Sequence, residues 1–100
     1  MASYIARVEL HGGTAADYDT LHKAMATAGF SRALLSDTGP AVHLPSGQYF
    51  GVGELSASQV SEFAQGAALK TKKGFAVFVS DFTNAAWFGL DPVEPPAAKV

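Results

Sequence analysis

Cysteine is absent from the 100 residues, which excludes a disulfide framework, a thiolate nucleophile and any Cys-ligated metal site. The cytoplasm is the compartment this composition suggests. Charge is sparse as well: 7 Lys and Arg stand against 9 Asp and Glu, a net charge of -2. General attraction to a phosphate backbone needs clustered positive charge, so no DNA binding is expected and any nucleic-acid contact has to be local. No apolar run reaches membrane-spanning length, and Met1 leads directly into a strand-like segment rather than a basic and then apolar leader. Neither membrane insertion nor export is predicted. The sequence also has no GxxxxGK[ST] or GxGxxG pattern, so Gly12-Gly13 is not a phosphate loop, and no HxH, HExxH or carboxylate repeat, so no metal site and no cofactor are expected.

What is present is a chain that is 48% hydrophobic, enough for one two-layer domain. Tyr4, Ala6, Val8 and Leu10 alternate with Ile5, Arg7 and Glu9, the period of a half-buried strand. After the His11-Gly12-Gly13 break, Thr14 and Asp17 have the spacing of a helix cap, and Tyr18, Leu21, Met25 and Ala28 form the apolar stripe of a helix running to about Ala28. Gly29 suits the left-handed residue that ends it. A second strand is predicted over Arg32 to Ser36, a turn at Asp37 to Pro40, and an antiparallel return through Ala41 to Leu44. A third strand follows over Gln48 to Glu54. Ser56 and Gln59 form another capping box, and Val60, Phe63, Ala64 and Ala67 give a narrow stripe to a second helix. Lys70, Lys72 and Lys73 suit its negative end, Gly74 is expected to stop it, and Phe75 to Phe82 reads as the fourth strand. A short extra strand is predicted at Ala86 to Leu90.

Right-handed crossovers turn this order into an α+β, ferredoxin-like βαββαβ sandwich: a four-stranded antiparallel sheet in the order 4-1-3-2, with both helices on one face. The domain is expected to occupy residues 1–91, with the Pro-rich residues 92–100 as a flexible tail. Its second sheet face, bearing Ile5, Arg7 and Glu9, is bare in a monomer. A homodimer formed through that face or through the last strand is the simplest way to cover it.

Histidine is the side chain suited to proton transfer near neutrality, and there are three: His11, His22 and His43. His11 ends the first strand beside a turn. His22 lies at the edge of the first helix's stripe, where it either shields the core or carries chemistry. Arg32 can hold a phosphate and Tyr49 can offer a ring to an unpaired base, against the plainer roles of surface charge and packing. The Lys70 to Lys73 cluster complements a helix dipole before it suggests a nucleic-acid patch. Trp87 and Phe88 read as a hydrophobic closing element or a dimer contact.

Gly29-Phe30-Ser31 after an amphipathic helix, the Asp37 to Pro40 hairpin, and the third strand running into Leu55-Ser56-Ala57-Ser58 together resemble the GhoS-like antitoxins of type V toxin-antitoxin systems. The likeness extends approximately over residues 4–82. That family is ferredoxin-like, similar in fold to small CRISPR-associated nucleases, and cleaves the messenger RNA of a membrane-acting toxin. The resemblance implies cleavage of single-stranded RNA, and a sequence without metal-ligand spacing favours metal-independent acid–base chemistry for it. In that role His22 would be the acid or base and Arg32 the phosphate stabiliser, while Tyr49, Lys23 and His43 would contact RNA. The chain departs from the expectation of strong positive charge, since His22 and Lys23 are what its first helix offers. The alternative is a non-catalytic homodimeric interaction or small-ligand-binding module, because a ferredoxin-like sheet hosts many functions.

Overall fold

The computed structural model describes residues 2–34 and 41–93. The elements are β1 (Ala2–His11), α1 (Ala15–Thr27), β2 (Ala33–Leu34), β3 (Val42–His43), β4 (Gln48–Gly53), α2 (Ala57–Leu69) and β5 (Gly74–Phe82). Both helices start where the capping boxes were read. Thr14 Oγ1 accepts from the Asp17 amide while the Asp17 carboxylate accepts from the Thr14 amide, and Ser56 and Gln59 repeat the exchange. These contacts satisfy helix N–H groups that have no intrahelical partner. Gly29, with φ 96°, follows the end of α1 as expected. Beyond α2 the left-handed residue is Lys72, with φ 61°, and not Gly74, which already begins β5.

β1 is the centre of a three-stranded antiparallel sheet in the order β4-β1-β5. The alternation read from its sequence holds: Tyr4, Ala6, Val8 and Leu10 are buried and form one cluster with Leu21, Ala24 and Met25 of α1, Val60, Ala64, Ala67 and Ala68 of α2, and Tyr49 of β4. Both helices therefore pack on one face of the sheet. Within α2, Phe63 is half exposed and Ala68 takes its place in the stripe. Small residues at positions 64, 67 and 68 bring the helix close to the strands.

The expected four-stranded sheet is corrected to a three-stranded sheet and a separate two-stranded ribbon, β2 with β3. The fourth sheet position is begun and then abandoned. Ser31 exchanges two backbone hydrogen bonds with Phe50, at 2.8 and 2.7 Å, after which its side chain bonds the amide and carbonyl of Ala33 and bends the chain away. The reason lies in what the ribbon covers. Leu34, Val42 and Leu44 form a second cluster against Ile5, Phe50, Phe82 and Leu90, so the ribbon buries the apolar half of the sheet face that the helices leave bare. Burying such side chains contributes more than one further edge ladder would. The face is thus partly covered, and Phe78, 66% exposed, stands on its open remainder.

Ala86 to Leu90 does not form the expected strand. The chain instead passes Leu90 into the second cluster and lays Asp91 to Val93 along β3: His43 N–H donates to Asp91 O (2.8 Å) and Val93 N–H to Ala41 O (2.9 Å). Pro92 bridges Val42 between these two bonds, where its missing donor is not needed. Of the tail expected over residues 92–100, Pro92 and Val93 are thus held against the ribbon, while residues 94–100, like the turn predicted at Asp37 to Pro40, lie outside the described residues. Among the described residues no helix is long and apolar enough to cross a membrane.

Candidate functional site

Three side chains meet where the middle of α1 faces the beginning of β4. The Thr14 cap sets the phase of α1 so that Leu21, Ala24 and Met25 are buried, which leaves His22, one residue on from Leu21, at the rim and partly buried. Tyr49 pairs with Ala6 of β1 and therefore shares the helix-facing side of the sheet. His22 Nδ1 lies 2.6 Å from Tyr49 Oη, with ring centroids 5.7 Å apart. Tyr18, one helical turn before His22, completes the cluster at 6.4 Å from the imidazole.

Tyr18 also serves the backbone. The β1–β4 ladder ends at Arg7 and Gln48, and the Val8 amide then donates to Gly47 O at 2.8 Å. The next amide on that side, Leu10, has no β4 residue opposite it and donates to Tyr18 Oη at 3.1 Å. The phenol thus stands in for the missing strand, which fixes the ring beside the imidazole.

The electrostatics bind Arg32 to this cluster. The pKa of His22 is held below the ordinary imidazole value, first by burial and second by the positive charge of Arg32, against an opposing pull from Asp19. The Tyr49 hydroxyl is pushed up to about 12, mainly by burial, although the Arg32 charge favours its ionised form. Near neutral pH the pair is therefore a neutral imidazole and an intact phenol. Two arrangements satisfy the 2.6 Å contact. Either the hydroxyl donates to Nδ1 and the ring proton sits on Nε2, or Nδ1–H donates to the hydroxyl oxygen and Nε2 carries a free lone pair. A shift between them makes Nε2 either a donor or a base.

The structure brings together some of the residues singled out from the sequence and separates others. Arg32 is exposed and acts on His22 through its charge. Lys23 is exposed on α1 immediately after His22. His43 is exposed on the ribbon opposite Ala33, next to Leu44, whose amide donates to Arg32 O at 2.7 Å. It stands on the ribbon that Arg32 leads into, but no side-chain hydrogen bond ties it to the imidazole–phenol pair. Tyr49 is corrected in role: its ring is 0% exposed, so it is not a platform on which a base can stack. Its alternation with Phe50 and Val52 carried that information, since core-facing Ala6 lies opposite it. Tyr18 was visible only as a stripe residue, because its bond to Leu10 depends on where β4 stops. His11 stands apart, 3.9 Å from Glu9 on the exposed end of β1.

No family model matches the chain, and no curated protein matches it.

Proposed function

We propose that this protein is an antitoxin-like endoribonuclease that cleaves single-stranded RNA by acid–base chemistry centred on His22. The observation that supports this reading best is the 2.6 Å pairing of His22 Nδ1 with Tyr49 Oη under the positive charge of Arg32. A neutral imidazole is the form that can accept a proton, and its depressed pKa keeps it in that form at physiological pH.

In the proposed reaction the ribose 2′-hydroxyl gives its proton to His22 Nε2 while its oxygen bonds to the adjacent phosphorus. Nδ1–H meanwhile donates to Tyr49 Oη, which fixes the ring. Arg32 stabilises the extra negative charge on the pentacovalent phosphate. The bond to the 5′-oxygen then breaks, and that oxygen takes the proton back from Nε2. The products are a 2′,3′-cyclic phosphate and a 5′-hydroxyl. Lys23 and His43 supply local positive or hydrogen-bonding contacts to the flanking backbone, in keeping with a chain whose whole charge is -2. Tyr49 orients the imidazole rather than stacking on a base.

Purified protein incubated with mixed single-stranded RNA oligonucleotides tests the reading. Discrete products with cyclic phosphate ends are expected, and His22→Ala should slow cleavage by about 10²–10⁴-fold, the usual contribution of a positioned acid or base. Undamaged RNA with the native protein would remove the nuclease assignment. An unchanged rate with His22→Ala would remove the role given to the imidazole. A non-catalytic interaction module is the second reading, favoured by the 66% exposure of Phe78 on the open sheet face. Intact RNA together with self-association of the protein would decide for it.

A further inference from the structure

β5 is an open edge. It pairs with β1 alone, and the direction of its free backbone groups follows from hydrogen bonds elsewhere in the sheet. The Val8 amide donates to Gly47 on the β4 side, so Arg7 and Glu9 turn their amides and carbonyls toward β5. They lie opposite Phe78 and Ala76. The intervening residues Phe75, Val77, Val79 and Asp81 therefore direct their N–H and C=O groups outward. The same parity places the Phe50 amide and carbonyl on the outer side of β4, where Ser31 takes both. β4 is thus capped by its neighbour, whereas nothing among the described residues caps β5.

Natural edges are blunted by lysine, proline, bulges or shortness. β5 has none of these between Phe75 and Ser80: nine residues long, it presents Phe-Ala-Val-Phe-Val-Ser without a charge. Its charges gather at the two ends: Lys72 and Lys73 stand just before it, Lys72 in the left-handed turn, and Asp81 lies within it. Seven residues of strand lie between Lys73 and Asp81, eight steps or about 26 Å, so they cannot neutralise each other within one chain.

We infer that β5 pairs antiparallel with β5 of a second copy of this chain, about a twofold axis at Val77, to give one continuous six-stranded sheet. The register is chosen by the cross-strand pairs. With the axis at Val77, Lys73 of each copy lies opposite Asp81 of the other, Phe75 lies opposite Val79, and Ala76 lies opposite Phe78. Opposite charges and an aromatic–β-branched pair are both favourable directly across an antiparallel ladder. Centring the axis on Phe78 instead sets Phe75 against Asp81 and Lys73 against Thr83, which loses the charge pairs. The Val77 register also joins the outward N–H and C=O groups of Phe75, Val77 and Val79 in matched pairs, and a twofold contact of this kind closes on itself and does not propagate. Lys73 already lies 3.8 Å from Asp17 of its own chain and is partly exposed, so it can serve both carboxylates. This inference is independent of the RNA-cleavage reading: the dimer stands or falls on mass, whatever becomes of the RNA.

The full chain tests it by light scattering after size exclusion at micromolar concentration, where a dimer mass is expected. Asp81→Lys and Lys73→Asp should each shift the protein to monomer by setting like charges opposite one another, and the double exchange should restore the dimer. Because the native chain has no cysteine, Val77→Cys introduces one thiol. Mild oxidation should cross-link it across the axis, where paired Cα atoms fall about 5.5 Å apart, within disulfide reach, while Phe78→Cys should cross-link far less. A monomeric native protein overturns the inference. So does a dimer whose mass is unchanged by both single charge reversals, or one that cross-links at position 78 and not at 77.

Discussion

His22 Nδ1 sits 2.6 Å from the hydroxyl of Tyr49, and the two groups are driven away from their charged forms by the same burial. Desolvation disfavours an imidazolium and a phenolate alike, so it lowers the pKa of His22 and raises that of Tyr49. Arg32 acts on both as well, and in one direction: a cation nearby lowers either pKa. The imidazole feels burial and Arg32 in concert, whereas for the phenol they oppose each other and burial wins.

The first prediction concerns Arg32→Gln. Removing the guanidinium should move the His22 pKa upward, toward 6.5 but not fully to it, because burial is the larger cause and remains. Asp19→Asn should move it down, since that carboxylate favours the imidazolium. Proton–carbon NMR of the imidazole through a pH series reads both. An unmoved His22 in Arg32→Gln would show that the guanidinium does not act on the ring.

Stability should respond to pH at both ends of the range. At low pH the group is His22: its folded pKa lies below the unfolded value of 6.5, so the unfolded chain binds the proton more readily. The stability it contributes is intact above pH 6.5 and is lost as pH falls through the folded pKa. At high pH the group is Tyr49. Its folded pKa of about 12 lies above the unfolded value of 10.0, so stability is complete below pH 10 and declines as pH rises between these two values. Tyr49→Phe should remove the alkaline decline, at a cost near neutral pH of about 0.5–1.5 kcal/mol for the lost hydrogen bond. Urea unfolding midpoints collected across pH check both limbs, and an alkaline decline that persists in Tyr49→Phe would assign it elsewhere.

Most of the architecture could be read from local patterns because those patterns have local causes. The Thr14–Asp17 and Ser56–Gln59 boxes place helix starts by contacts within one turn, and the alternation from Tyr4 to Leu10 reports burial on one side of one strand. The destination of the ribbon is different in kind. Arg32 to Ser36 reads as a strand whether it extends the sheet or folds over it, and the choice depends on Ile5, Phe50 and Phe82 converging from three distant strands to receive Leu34, Val42 and Leu44. No window of sequence contains that information. The site divides the same way: His22 at the edge of an apolar stripe is a local inference, but its 2.6 Å partner is 27 positions away.

Leu34→Ala should therefore loosen the ribbon selectively. Leu34 is 5% exposed in the second cluster, and deleting a buried leucine to alanine costs about 2–5 kcal/mol. The loss falls on an element held by a two-residue ladder, so local opening should precede global unfolding. Hydrogen exchange should accelerate at the Leu44 and His43 amides, which bond Arg32 O and Asp91 O, while the amide of Ala6 in the central strand keeps its protection. Equal acceleration at all three would mean that the ribbon and the sheet open as one unit.

The last prediction turns on Gly51. It is buried in β4 opposite Tyr4, and a Cβ built there would run into the ring of Phe30. In an open strand, replacing glycine by alanine would be favourable by roughly 0.5–1 kcal/mol through chain entropy. Here the ring is itself 7% exposed and packed in the main cluster, so it cannot swing clear. Overpacking of this kind costs about 1–3 kcal/mol, which outweighs the entropy gain, and Gly51→Ala should be destabilising. Phe30→Leu gives up ring surface but makes room at Gly51. The double variant Phe30→Leu with Gly51→Ala should therefore lose less stability than the two single losses added together, a coupling that neighbours in contact show and distant sites do not. Equal values for the double variant and the sum would mean that the glycine is not kept by the phenylalanine ring.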